Sequence, residues 1–475
     1  MARVTLCMIA RDEEQMLPGC LESVRGAVDE VVLVDTGSRD RTREVARAHG
    51  AQVYERPWDD DFAAPRNEAL SRARGEYVLQ LDADERLAPG ACSRLRRAVE
   101  DGTTPYGLLR LHNASRADAP FERVASGELR LGDAFWVPRL VKRVPYVRYE
   151  GIIHETIDES LLRNGVRPTA LAVDVVHLGR IPELSAARGK LGRNLALLEK
   201  RCRLEPDSIV PFGYLAMELY EAGRYAEAER AAEQGWALLD AQPSYRSAFL
   251  LASARASVAL RLGRPERALE TSQRFRERCG AFADLEYLRG SALLLLALRS
   301  PAGAPERAVR LGEAISALRE ILGAGSQPQN TTIPGVTSWA TFAQLGHALL
   351  AAGHREPAKA AFSAALAASP AHVEARLGLA EVLLDSGDAG ACLAAVEPLL
   401  ASRPDAWLLA ADAARALGAD HDARLLFGRA CERRREGYLA PHRRERHNVL
   451  VHLFAGGLPE DAAQASETDA GRRAR

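Results

Sequence analysis

The pattern of apolar and polar positions changes character once along the chain. Up to about residue 180, short unbroken apolar runs alternate with stretches of helical period. Val4–Ile9, Val31–Val34, Gln52–Tyr54 and Tyr77–Leu81 read as strands, with a final strand over Val173–Gly179. Asp12–Val28, Arg41–His49 and Ala63–Ala73 read as helices. Asp12 is placed as the first N-cap, Glu13 and Glu14 in the first turn, and Gly50 as the stop of the second helix. Unbroken apolar strands separated by helices predict an α/β domain with a mostly parallel, Rossmann-like sheet covered on both faces. The stretch Leu109–Val147 carries strand-like pieces, Ala134–Val137 and Arg139–Val141, around a polar loop, Asn113–Arg123.

After Pro182 the pattern is wholly helical and rich in Ala, Leu, Arg and Glu. An internal period emerges: Gly353 and Gly387 lie 34 residues apart, as do Pro370 and Pro404. Each glycine closes a first helix and each proline follows a second. Tyr220–Ala228 and Leu260–Ala268 share the same helix-turn-helix form. This period, with Gly, small Ala and terminal Pro, resembles tetratricopeptide repeats, which stack because no single helix pair buries its own apolar face. The expected division is an α/β domain over 1–180, a linker helix over 181–205, an all-α superhelix over 206–455 and a disordered tail over 456–475. The segment Gly323–Gly335 reads as a loop that breaks the array.

Composition narrows the function classes only a little. The 475 residues carry a net charge of −1, so no global field argues for nucleic acid or an anionic membrane. Seven scattered cysteines lack metal-ligand spacing and read as free thiols of a reducing compartment. The chain opens directly on a strand-like run, and Leu293–Leu296 lies in an apolar stretch too short to span a bilayer. A cytoplasmic protein, with peripheral contact at the inner face of the membrane still open, is the expectation.

Chemistry concentrates at the strand ends. Ligands on parallel sheets bind outside the carboxyl ends of the strands, where Arg11, Asp35 and Asp82 all fall. Leu81-Asp82-Ala83-Asp84-Glu85 places three carboxylates at the end of an apolar strand. Such groups need compensation by a cation or by hydrogen bonds. A divalent metal shared with a phosphorylated substrate would supply it; an acidic turn capping the next helix is the structural alternative.

Val34-Asp35-Thr36-Gly37-Ser38-Arg39-Asp40-Arg41-Thr42, then Trp58-Asp59-Asp60-Asp61-Phe62-Ala63 with Arg66-Asn67, then Leu81–Glu85 resemble family 2 glycosyltransferases of the GT-A fold, in order and spacing as well as in residues. The resemblance covers roughly residues 3–180 and is most specific over the first hundred. It extends to bacterial members with downstream tetratricopeptide repeats, relatives of enzymes acting on lipopolysaccharide cores or on cysteine in ribosomal peptides. It implies inverting transfer from a nucleotide-diphosphate sugar, of the UDP class, to a peptide, protein or saccharide acceptor, with Mg²⁺ or Mn²⁺ as cofactor.

By this resemblance Ala10, Arg11, Glu13, Asp35, Arg66, Asp82 and His154 surround the donor. Asp35 is placed to accept from a uracil-type base; many relatives carry a second Asp where this chain has Thr36, which leaves the base identity open. Arg66 suits a diphosphate, its planar fork matching phosphate oxygens, with an ion pair to Asp59–Asp61 as the structural alternative. Trp58 and Phe62 fit simple core packing. Asp84 is assigned to direct metal ligation, Asp82 to the ribose or a metal-bound water, and His177 to a third ligand position. Glu85 could instead hold the following turn. The acceptor's base must be a carboxylate or His near the sugar. Glu155 in Tyr149-Glu150-Gly151-Ile152-Ile153-His154-Glu155 is the candidate, with Glu150 and Asp158 in reserve and His154 positioning the sugar or Glu155. It is no zinc-protease helix, because position 158 is Asp158.

Two rivals come from other classes. A catalytically degenerate scaffold would bind the nucleotide sugar and use the repeats for a protein partner or a homodimer. A nucleotidyltransferase would need a glycine-rich basic loop after the first strand, where this chain has Arg11-Asp12-Glu13-Glu14.

Overall fold

The computed structural model describes residues 3–181, 190–241, 248–324 and 332–433. They form two compact units. The first takes the described residues up to Leu262 together with 332–334, and the second takes those from Gly263 onward apart from that short return. Among the described residues no helix is long and apolar enough to cross a membrane. The expected tail, residues 456–475, and most of the Gly323–Gly335 loop lie outside the described residues.

The first unit is built on one mixed sheet. Its strands are β1 (Val4–Ala10), β2 (Glu30–Asp35), β3 (Gln52–Glu55), β4 (Tyr77–Gln80), β5 (Glu85–Leu87), β6 (Tyr106–Asn113), β7 (Phe135–Lys142) and β8 (Thr169–His177). They run in the order β3-β2-β1-β4-β7-β6-β8-β5. The four N-terminal strands pair in parallel, as do β6 and β8; β4–β7, β6–β7 and β5–β8 pair antiparallel. Strand side chains alternate between faces. Val4, Leu6 and Met8 therefore join one core with Leu33, Tyr77 and Leu79, under helices α1 (Leu17–Ser23) and α4 (Ala91–Glu100). Cys7, Val32, Val34 and Val78 join the other, under α3 (Ala63–Arg72). Both faces are covered, which is why these strands read as unbroken apolar runs. Shorter helices α2 (Thr42–Ala48), α5 (Phe121–Ala125) and α6 (Asp158–Arg163) fill the connections.

The first helix differs from expectation. It starts at Leu17, not Asp12, and Met16 occupies the N-cap. The reason is tertiary. Asp12 adopts a left-handed backbone (φ 55°). The Asp12 amide donates to Ser38 Oγ at 3.0 Å, and its Oδ1 accepts from the Arg39 amide at 2.7 Å. The Glu13 amide donates to Thr42 Oγ1 at 2.8 Å, and Glu14 Oε2 accepts from the Arg41 amide at 3.0 Å. These cross-loop bonds, with the left-handed backbone at Asp12, hold Asp12–Glu14 in a turn ahead of the helix.

Four further helices belong to the same unit: α7 (Lys190–Leu204), α8 (Ile209–Glu221), α9 (Tyr225–Ala237) and α10 (Ala248–Arg261). The second unit is helical throughout its described residues, from α11 (Pro265–Cys279), α12 (Ala283–Arg299) and α13 (Pro305–Gly323) to α14 (Trp339–Ala351), α15 (Arg355–Ala368), α16 (Val373–Asp385), α17 (Ala389–Val396), α18 (Pro404–Ala416) and α19 (Asp420–Arg433). The glycine period has a backbone cause: Gly353 and Gly387 turn the chain at φ 81° and 87°, beyond easy reach of other residues. Gly346 and Gly378 serve packing instead, since a side chain at either would run into the ring of fully buried Phe362.

Glu30 ties the opposite end of the sheet together. It accepts from Thr5 Oγ1 (2.6 Å), Gln52 Nε2 (2.8 Å) and the Arg74 amide (2.9 Å) and guanidinium (2.8 Å). Burial pushes its carboxyl upward, but these donors outweigh burial and bring it from the ordinary 4.5 to about 2. A depressed folded-state pKa gives stability that is present above the unfolded value and lost as pH falls toward 2. Glu30→Gln should therefore cost on the order of 2 kcal/mol at pH 7. The difference should close as pH drops from 5 to 2, as read by urea unfolding at each pH.

Candidate functional site

A cavity of about 490 Å³ opens at the carboxyl ends of the parallel strands. Ile9, Ala10 and the Arg11–Glu13 turn form its wall after β1, and Thr36 follows β2. Asp82, Ala83 and Asp84 follow β4, and His177 ends β8. Phe62 and Arg66 come from the start of α3, and Arg193 from α7. The volume lies in the range of small-molecule sites. A larger groove of about 870 Å³ in the second unit is open and lined by charges of both signs, including Glu266, Glu270, Arg274 and Arg299.

A charge network adjoins the cavity, and Arg66 and Asp82 are its members that line it. Arg66 donates to Asp82 Oδ1 at 3.0 Å and to Glu155 Oε1. Arg139 grips Glu85 with both arms of its fork, at 2.6 and 3.1 Å, and lies 3.6 Å from Asp82 Oδ2. Asp82 is thus held between two guanidiniums. Burial raises its carboxyl, but Arg66 and Arg139 more than reverse this and keep it ionised below the ordinary range. Burial, with Asp82 adding to it, pushes Glu85 up to about 7 against the pull of Arg139. Glu85 also accepts from the Asp82 amide at 3.1 Å, so it closes the acidic turn from within.

Asp84 stands apart from this network. The antiparallel register sets Glu85 of β5 opposite His177 of β8. That pairing brings His177 Nε2 to 3.6 Å from Asp84 Oδ1. On the far side of the ring, Nδ1 lies 2.7 Å from Asn113 Oδ1. With that oxygen as acceptor, Nδ1 carries the proton and Nε2 presents its lone pair to the carboxylate. Burial lowers the His177 pKa, which favours the neutral ring. Two electron-pair donors facing each other at this separation suit a cation between them. Gly179 leaves the space open: a Cβ there would strike Asp84 Oδ2 and come within 2.7 Å of His177 Nε2.

As a metal site the pair is partial. Among the described residues no group of three acidic, His or Cys side chains gathers around one point. Divalent cations commonly take one or two protein carboxylates and complete their shell with substrate phosphates. Asp84 and His177 fit that economy, whereas Asp82 is turned to its arginines.

Asp35 sits buried at the end of β2. Its Oδ1 accepts from the amides of Gly37 and Ser38 at 3.1 and 3.0 Å. Its buried Oδ2 has no hydrogen-bond partner among the described residues. Leaving such an atom unpaired costs ~1–3 kcal/mol; Asp35 itself is not among the cavity's lining residues, whereas the next residue, Thr36, is. Arg11 is half exposed at the mouth, 3.8 Å from Asp12.

The base candidates separate. Glu155 is held by Arg66, itself a lining residue of the cavity, but is not among the lining residues. Glu150 is taken by Arg148 (2.9 Å) and Arg163 (2.5 Å), and Asp158 opens α6; neither lines the cavity. His154 has a left-handed backbone (φ 49°) and stacks flat on Tyr214 of α8, with centroids 4.0 Å apart. It is no part of the cavity lining.

Arg139, Asn113 and Gly179 went unnoticed in the sequence. For Arg139 there was one signal, an arginine set among Val137, Leu140 and Val141 in an apolar strand. Asn113 and Gly179 gain meaning only through strand register.

Residues 5–124 match the family described as Glycosyl transferase family 2, and residues 349–417 match Tetratricopeptide repeat. A TPR repeat-containing protein of Synechococcus elongatus is 34% identical over 50% of this chain and 57% of its own length. The SPbeta prophage-derived glycosyltransferase SunS of Bacillus subtilis is 24% identical over 47% of this chain and 51% of its own length. A solved tetratricopeptide repeat protein from Parabacteroides merdae aligns at 16% identity and TM-score 0.40, over 56% of this chain and 94% of that one. The chain spans little more than half the length of the two curated relatives. It carries a family 2 glycosyltransferase domain at its N-terminal end and tetratricopeptide repeats toward its C-terminal end.

The charge network makes a direct prediction. Removing one partner of a buried ion pair leaves an uncompensated charge, at a cost of ~3–5 kcal/mol. Arg139→Gln should destabilise the first unit by up to about that amount at high pH and by less near neutral pH, where Glu85, pushed up to about 7, takes up a proton. Adding Glu85→Gln should recover part of it, since the stranded carboxylate is then gone. Chemical denaturation of the two single variants and the double variant reads the coupling.

Proposed function

We propose that this chain is an inverting, metal-dependent glycosyltransferase. It would move a sugar from a nucleotide-diphosphate donor, of the UDP class, to a peptide, protein or saccharide acceptor. The observation that carries this reading is the Asp84–His177 pair facing into a strand-end cavity beside the Asp82–Arg66 pair. The family 2 match over the same residues supports it.

In this reading the unpaired Oδ2 of Asp35 accepts the imide hydrogen of the base. Ala10, Arg11 and Glu13 wall the nucleoside, and Arg66 with Asp82 presents the diphosphate side. Asp84 and His177 would hold Mg²⁺ or Mn²⁺, which when bound supplies positive charge against the leaving diphosphate. The acceptor nucleophile attacks the anomeric carbon from the face opposite the diphosphate. The anomeric carbon–oxygen bond breaks, and its electron pair leaves with the nucleoside diphosphate. The acceptor's proton passes to a carboxylate, for which Glu155 is the choice: it shares the Arg66 guanidinium with Asp82 and keeps its second oxygen beyond that bond. Glu150 is already held by two arginines. The helical repeats would bind the acceptor, a protein partner or a second copy, since stacked repeats present extended surfaces.

The decisive test is slow donor hydrolysis by the purified chain, across common nucleotide sugars with Mn²⁺. One donor should turn over, and Asp84→Ala should abolish it. No turnover with any donor, alongside intact nucleotide-sugar binding, would favour a binding scaffold. With an acceptor in hand, Glu155→Gln should lower kcat by about 10²–10⁴ while KM for the donor stays near wild type. A matching rise in donor KM would instead assign Glu155 to holding Arg66.

A further inference from the structure

One cation of the cavity comes from outside the sheet. Arg193 lies on α7, the first described helix after β8, yet it lines the same cavity as Arg66, Asp84 and His177. Its guanidinium stacks on the Phe62 ring at 5.3 Å and donates to Asn194 Oδ1 at 3.2 Å. The other cations of the site are differently placed. Arg66 and Arg139 are neutralised by Asp82, Glu85 and Glu155. Arg193 has no carboxylate within ion-pair distance among the described residues. The residue is exposed overall, yet partial desolvation and, after it, the Arg11 charge disfavour its charged form. A guanidinium laid on an aromatic ring at the cavity wall, beside a second arginine and with no acid to balance it among the described residues, is set up to receive an anion.

The helix that carries Arg193 is fixed to the α/β domain. Two turns along, fully sequestered Arg201 donates to the Ile153 carbonyl at 2.6 Å and pairs with Glu205 at 2.9 Å. A side chain at Gly151 would collide with that guanidinium, so Gly151 makes room for it. Leu198, between the two arginines, is completely buried. Arg193 and Arg201 are about 12 Å apart along the axis. The helix is thus pinned to the His154–Glu155 loop at one end while Arg193 reaches the cavity from the other. Phe62 completes the fixture, because its amide donates to the Ile152 carbonyl at 2.8 Å.

We propose that Arg193 is a donor-binding residue that clamps a diphosphate oxygen of the nucleotide, so that the first helix after the sheet domain completes the donor site. This rests on the glycosyltransferase reading and adds a residue that no strand end supplies. In the transfer it would hold the nucleoside diphosphate as its charge grows on bond cleavage.

The test is calorimetric titration of the full chain with UDP and with uridine, in the presence of Mg²⁺. Arg193→Met keeps an apolar stem against Phe62 and removes the charge. Losing a charge-assisted hydrogen bond should weaken UDP about tenfold or more while uridine binding stays within about twofold. Arg193→Lys should fall between, and raised salt should narrow the gap between wild type and Met. Equal loss of UDP and uridine, or no loss of either, would overturn the proposal and leave Arg193 a packing residue. If the wild type binds neither UDP nor any other nucleoside diphosphate, the glycosyltransferase reading fails and takes this inference with it. An unchanged unfolding midpoint for Arg193→Met would confirm that the helix still docks.

Discussion

The site depends on how Asp82 is held between Arg66 and Arg139. Carboxylates at the end of a buried strand repel one another and lose hydration, so the turn Leu81–Glu85 cannot hold its shape unaided. Two arginines from distant parts of the chain solve this. Arg66 arrives on the helix before β4 and Arg139 on the antiparallel strand beside it. Within the network two positive charges face the three carboxylates Asp82, Glu85 and Glu155. The surplus of negative charge is consistent with burial pushing Glu85 upward toward neutrality. A network of charges bonded to one another fixes side-chain positions more firmly than a hydrated turn could.

That arrangement sorts three adjacent acids into different roles. Asp82 and Glu85 face the arginines and organise the turn. Asp84 faces the other way, where the β5–β8 register delivers His177 and Asn113 delivers the tautomer. The order follows from strand geometry. Residues two apart share a face in an extended segment, but the turn at Asp82–Glu85, closed by the Glu85 amide donating to the Asp82 carbonyl at 2.9 Å, breaks that alternation. Gly179 then keeps the approach to the pair open, a demand set by the path of the chain after β8.

Much of this was legible in the sequence, for local reasons. Val4–Ala10 and Glu30–Asp35 are buried on both faces and read as unbroken apolar runs, and Asp35 and Asp82 fall where such strands must end. Gly353 and Gly387 mark turns that only a positive φ can make. What stayed hidden depended on contacts between segments far apart. The helix expected from Asp12 starts later because bonds to Ser38–Thr42 hold Asp12–Glu14 in a turn, and helical period carries no record of that loop. Arg139 looked like one more charge in a weakly patterned strand until the fold set its guanidinium on Glu85. The Glu150 side chain resembles Glu155 in sequence context, yet Arg148 and Arg163 draw it away from the cavity.

A change from strand to helix grammar suggests a change of domain, because the eye takes periodicity for autonomy. Burial argues otherwise for α7 and α8, which lie in the same compact unit as the sheet. Arg201 satisfies the carbonyl of Ile153, and Tyr214 covers the ring of His154, a residue held at φ 49°. A strained backbone of that kind persists only where its surroundings over-determine it, and here the surroundings are helical. The loop carrying Glu155 is therefore shaped from one side by Arg66 of the sheet domain and from the other by the helices. A chain cut at the change of grammar would keep every strand-end residue and still lose the support on which the His154–Glu155 loop rests.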